Sequence, residues 1–68
     1  MTTNTDRLIE TLRRWPGLDD DQLARQAGIQ PRQQVNQICR RLEEHGKLRR
    51  TKGPEGKIIN TLANANIG

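Results

Sequence analysis

Three runs of apolar residues at helical spacing, then two short stretches that flank a turn, set out the architecture of this 68-residue chain. Leu8, Ile9, Leu12 and Trp15 form the first stripe and predict a helix over about residues 6–14. Thr5 is its expected N-cap, Asp6 suits the positive end of the helix dipole, Arg13 and Arg14 the negative end, and Pro16-Gly17 stops it. Leu23, Ala24 and Ala27 predict a second helix over 20–27 that ends at Gly28. Asp19 is its N-cap and Gln22 the capping-box partner, with Leu18 and Leu23 as a hydrophobic staple. Val35, Ile38, Cys39 and Leu42 predict a third helix over 31–45, with Pro31 at its first position and Gly46 beyond its end, covered by Leu48. Residues 47–62 read as a hairpin about Gly53-Pro54-Glu55-Gly56, a type I turn with proline at its second position. A symmetric four-residue loop pairs Thr51 with Ile58 and Arg50 with Ile59. That register places Leu48 and Ile59 on one face, Ile58 and Leu62 on the other. The tail, 63–68, has no cap and little to bury, and is expected to fray.

The polar side of the third helix changes the picture. A turn of about 100° per residue carries Gln33, Asn36, Gln37, Arg40 and Arg41 away from the apolar stripe. A solvated face ordinarily mixes Glu with Lys. Planar amides and guanidinium groups instead form paired hydrogen bonds, Gln or Asn with adenine and Arg with guanine, in the DNA major groove. Two helices joined by the tight turn Gly28-Ile29-Gln30 present the second of them to such a groove.

Charge is segregated in the same sense. Residues 1–29 hold four cations against five carboxylates, residues 30–68 eight against three. A basic half that begins at the amide-rich helix suits a polyanion, whereas charge kept only for solubility predicts no segregation. Arg49, Arg50, Lys52 and Lys57 make the hairpin a basic arm.

Other chemistry is sparse. The apolar fraction is 31%, Phe and Tyr are absent, and the core must come from Leu and Ile, so net stability should be modest. Trp15, the only aromatic residue, is expected to anchor the core rather than to serve as an exposed stacking platform. Single-strand or RNA binding is disfavoured, because no exposed stretch offers aromatic rings. One cysteine excludes an internal disulfide framework, and the start MTTNTDRLIE has neither signal-peptide nor membrane-spanning character, so a cytoplasmic setting is expected. Cys39 lies on the apolar stripe and is expected to be inert, and His45 has no second ligand beside it. Asp19, Asp20 and Asp21 are explained by the helix dipole better than by a metal, because successive carboxylates at a helix start do not converge on one point. No catalytic residue, cofactor or metal is expected.

Helix, tight turn, helix and basic hairpin together resemble the winged helix-turn-helix family. The resemblance runs through GLDDDQLARQAGI, PRQQVNQICRRLEEHGKLRR and TKGPEGKIINTL. It implies an α+β, mostly helical fold over residues 1–68, three helices followed by a two-stranded β-hairpin wing. It looks like the small winged modules of bacterial transcriptional regulators. The resemblance places Arg32, Gln33, Asn36, Gln37 and Arg40 where the family reads base edges, with Arg41 on the same polar side. It also places Arg49, Arg50, Lys52 and Lys57 on the wing, which usually follows the backbone or the minor groove. The Asp19–Asp21 carboxylates would repel a phosphate, so that helix start is expected to point away from DNA.

The expected function is sequence-selective binding of double-stranded DNA in a small transcriptional regulator. The alternatives are a winged-helix protein-interaction module and a DNA-targeting appendage of a larger complex. A homodimer is expected through the first helix and the C-terminal strand, using Leu8, Ile9 and Leu12 with Leu62, Ala63, Ala65 and Ile67.

Overall fold

The computed structural model describes residues 3–63. Helix α1 spans Asn4–Arg14 and begins two residues earlier than its stripe predicts. Thr3, not Thr5, is the N-cap: its hydroxyl accepts from the Asp6 N–H at 3.1 Å, and the Asp6 carboxylate accepts from the Thr3 N–H at 3.3 Å. The reciprocal pair decides the choice. Three residues after Thr5 comes Leu8, which has nothing to return. Leu8, Thr11 and Leu12 are buried, and the Thr11 hydroxyl donates to the Arg7 carbonyl at 2.7 Å.

Trp15 does not anchor the core; it is 47% exposed. It is the C-cap of α1 with φ −129° and ψ 81°, so the chain has already left the helical path that would have carried its ring inward. After the turn, Leu18–Asp19 forms a short strand, β1, which the sequence pattern does not reveal because two residues carry no alternation.

Helix α2, Asp20–Ala27, has the expected cap. Asp19 Oδ1 accepts from the Gln22 N–H at 2.7 Å, and Gln22 Oε1 accepts from the Asp19 N–H at 3.2 Å. After Gly28, Ile29 is buried and plugs the turn into α3. Helix α3 spans Arg32–Glu44, with Pro31 as N-cap rather than first helical residue. It buries Val35, Cys39 and Leu42 and ends in a full Schellman motif. There Gly46, at φ 72°, donates to the Glu43 carbonyl at 3.0 Å, and Lys47 donates to that of Leu42 at 2.9 Å.

Strands β2 (Leu48–Lys52) and β3 (Ile58–Leu62) form the wing, and β3 lies between β1 and β2 in an antiparallel three-stranded sheet. The register differs by one residue from the symmetric loop. Thr51 faces Ile59, Arg50 faces Asn60 and Leu48 faces Leu62. Gly53 itself pairs, its N–H donating to the Lys57 carbonyl at 2.7 Å. The type I turn is kept, closed by the Gly56 N–H on the Gly53 carbonyl at 3.0 Å, but Gly56 then adopts φ 82° as a bulge residue. Because side chains alternate, that single step places Leu48, Arg50, Asn60 and Leu62 on one face, toward the helices.

The core comprises Leu8, Leu12, Leu23, Ile29, Val35, Cys39, Leu42 and Leu48, with Ile9, Leu18, Ile38 and Leu62 packed against it. Leu8 and Leu12, two of the three α1 residues on which the expected dimer drew, are thus covered within one chain, while Ile9 is only partly buried. Ala65 and Ile67, further members of that interface, lie outside the described residues, as does the tail beyond Ala63 that is expected to fray.

Candidate nucleic-acid interface

The outward face of α3 carries Arg32, Gln33, Gln37, Arg40 and Arg41, all exposed. Exposed Gln34 joins this polar end of the helix and was not singled out from the sequence. Gln33, Gln37 and Arg40 make no side-chain hydrogen bond or ion pair among the described residues, so their donors and acceptors are available to a ligand. Arg32 meets Asp21 at 3.0 Å, but both ends are well exposed and solvent screens the pair.

The remaining reading-helix residue, Asn36, is turned differently. It is only partly exposed, and its amide donates to Asp20 Oδ2 at 3.1 Å. Arg50 Nη2 donates to the same oxygen at 3.1 Å, and Asn60 Nδ2 to Asp20 Oδ1 at 2.8 Å. The Asn60 amide also donates to the Leu18 carbonyl at 3.1 Å. The side chains of Arg50 and Asp20 are 10% and 17% exposed, so Arg50 is directed into the fold, away from the surface of the wing. Burial pushes the Asp20 carboxyl up. Hydrogen bonds from Asn60 and Asn36, with the charge and hydrogen bond of Arg50, outweigh it and hold the group below its usual range. Asp20 thus has a structural explanation beyond the dipole of α2.

The other wing cations are exposed but divided between two faces. Arg49 lies on the face opposite Leu48 and Arg50, as strand alternation requires. Lys52 shares the helix-side face beyond Arg50, beside exposed Ile58. Lys57 approaches Asp19 at 3.9 Å and lines, with Ile58, Gln33, Arg32 and Asn36, a groove between the wing and the start of α3. Asp19, Asp20 and Asp21 also line it, so the carboxylates expected to point away from DNA sit beside the start of the reading helix. The cationic pattern and its division into two faces follow from alternation along β2; that the face of Arg50 is the one packed on the helices, with Asn60 beside it, is what the fold and its register add.

Cys39 is fully buried, and desolvation, with a smaller contribution from the nearby Asp20 charge, pushes its pKa up to about 12. The His45 ring nitrogen Nδ1 lies 3.0 Å from the Arg41 carbonyl at the end of α3. Among the described residues, no group of three or more His, Cys, Asp or Glu could hold a metal ion, and no helix is long and apolar enough to cross a membrane.

Solved structures share this fold. The chain is similar to the PcaV transcriptional regulator from Streptomyces coelicolor, solved in complex with its natural ligand. The TM-score is 0.82 at 23% identity, over 91% of this chain and 45% of that one. It is also similar to the transcriptional regulator PA4135, with a TM-score of 0.79 at 33% identity, over 91% of this chain and 46% of that one. The chain therefore spans less than half the length of either protein. No protein-family model and no curated protein sequence matches it. Three helices with a small antiparallel sheet, in the order shared with these proteins, make this a winged-helix fold.

Proposed function

We propose that the chain binds double-stranded DNA with sequence preference and acts as the DNA-reading part of a transcriptional regulator. The observation that carries this reading is the exposed, unpaired row Gln33, Gln37 and Arg40 on α3. These side chains match the donor and acceptor pattern of base edges in the major groove. The winged-helix neighbours, both described as transcriptional regulators, support the same assignment. In this reading Arg49, Lys52 and Lys57 supply phosphate contacts and Arg32 and Arg41 flank the reading row, while Asn36 and Arg50 act through Asp20. Phosphate contacts supply most of the affinity and base contacts most of the selectivity. One module covers few base pairs, so two chains on an inverted repeat complete the proposal.

Selection of the full chain against random duplexes, followed by fluorescence anisotropy at two salt concentrations, tests it. The expected result is an enriched motif, containing adenine or guanine steps, bound more weakly as salt rises. Absence of binding at low salt would overturn the proposal.

A further inference from the structure

Along the helix-side face of the wing, three positions succeed one another from base to tip. Leu48 and Leu62 are apolar and join the core; Arg50 and Asn60 come next; Lys52 and Ile58 are exposed at the far end. The apolar contact between wing and helices therefore stops at the base of the hairpin. Beyond it, β3 is tied to the start of α2 by its backbone ladder with β1, and the side-chain link from α2 to β2 and α3 is the Asp20 carboxylate, which accepts from Arg50 on β2, Asn60 on β3 and Asn36 on α3. One side chain at the start of α2 thus joins the reading helix to both strands of the wing. Apolar contact is non-directional, whereas these hydrogen bonds constrain angle as well as distance.

A second observation separates this role from plain stabilisation. Arg50 Nη1 and Asn60 Oδ1 are buried with no hydrogen-bond partner of good geometry among the described residues, the Arg50 guanidinium lying beside the buried Cys39 thiol. An ion pair that leaves polar atoms unpaired is a poor source of net stability, and the best-attested use of such groups is to select one geometry.

We propose that Asp20 is a positioning residue for DNA binding: its carboxylate fixes the angle between α3 and the wing, and with it the wing's share of the DNA contact. This inference rests on the DNA-binding reading above. It predicts that Asp20→Asn removes the contribution of the wing while leaving that of α3 in place.

The test is a double-mutant cycle on a selected duplex, with Asp20→Asn crossed against the wing pair Arg49→Ala/Lys52→Ala and, separately, against Gln37→Ala. In the wild-type background the wing pair should lower the slope of log affinity against log salt by about two. In the Asp20→Asn background it should change neither slope nor affinity further, while Gln37→Ala keeps its full effect in both. Residual dipolar couplings of backbone amides supply a readout independent of DNA. One alignment tensor should fit α3 and the hairpin together in the wild type, and two different tensors should be needed in Asp20→Asn. Arg50→Lys, which keeps the charge but loses the planar fork, repeats the cycle if Asp20→Asn does not fold. A folded variant with one tensor and an undiminished loss from the wing pair would overturn the proposal, as would failure of both variants to fold. A wild-type chain that ignores DNA would refute the DNA reading instead, and the couplings would still decide the angle.

Discussion

Replacing Gly56 with alanine separates the backbone of the wing from its packing. Gly56 sits at φ 82°, and a Cβ added there would meet nothing within 4 Å. The cost is therefore conformational: an L-residue in the left-handed region loses about 1–2 kcal/mol. Stiffening of the unfolded chain offsets about 0.4–1 kcal/mol of that, leaving a net destabilisation of about 1 kcal/mol. At 68 residues, total stability is of the order of 3–10 kcal/mol, so the loss is measurable. In urea, with a slope of about 1 kcal/mol per molar, the midpoint should fall by about 1 M, followed by far-ultraviolet circular dichroism. Gly56→Asn should cost roughly half as much, because asparagine tolerates the left-handed region. Gly53→Ala is the contrasting case: its Cβ would lie 3.1 Å from the Lys57 carbonyl oxygen and 3.3 Å from Ile59 Cγ2. Its cost comes from crowding, and asparagine should not relieve it. An unchanged midpoint for Gly56→Ala would mean that the bulge is absent and that Thr51 pairs with Ile58. That register would turn Asn60 away from Asp20 and dissolve the polar cluster.

Three further outcomes follow from burial and charge. The folded-state pKa of Asp20 is held below its ordinary value of 3.8, so its contribution to stability is present above that value and is lost as pH falls through the folded pKa. Urea midpoints of wild type and Asp20→Asn should therefore converge in that acid range, and a constant gap would refute the coupling. Leu23 is fully buried, and Leu23→Ala should cost about 2–5 kcal/mol, read from the same denaturation curves; a near-wild-type midpoint would contradict the packing. Cys39 should react with an aromatic disulfide reagent at the rate of unfolding rather than that of a free thiol, because it is buried and its pKa is raised.

Helices and most caps were legible in the sequence because their causes are local. The Asp19–Gln22 box, Gly28, Gly46 and the Val35–Leu42 stripe act within one or two turns. Trp15 was misplaced because the stripe was extended past the last residue with helical dihedrals. The wing register escaped because it depends on whether Gly53 pairs or turns, and Pro54-Glu55-Gly56 is compatible with both. That one step is why Leu48 shares its face with Leu62 and not, as the symmetric loop implies, with Ile59. Periodicity places Gln33, Gln37 and Arg40 outward as found, but it also placed Asn36 with them, and that amide instead donates to Asp20. The Asp20 cluster was not readable, since its partners lie 16, 30 and 40 residues away and composition cannot distinguish an inward arginine from an outward one.

The reading role of α3 is tested most directly by comparing the triple variant Gln33→Ala/Gln37→Ala/Arg40→Ala with the wild type on a selected duplex and on its scrambled counterpart. All three side chains are exposed and unpaired in the fold, so the variant should melt close to the wild type. Each lost base contact should remove about 1–3 kcal/mol of discrimination. The account predicts that the ratio of affinities for the two duplexes falls toward one while salt-dependent binding persists through the wing. A folded triple variant that still prefers the selected duplex by the wild-type ratio would contradict it.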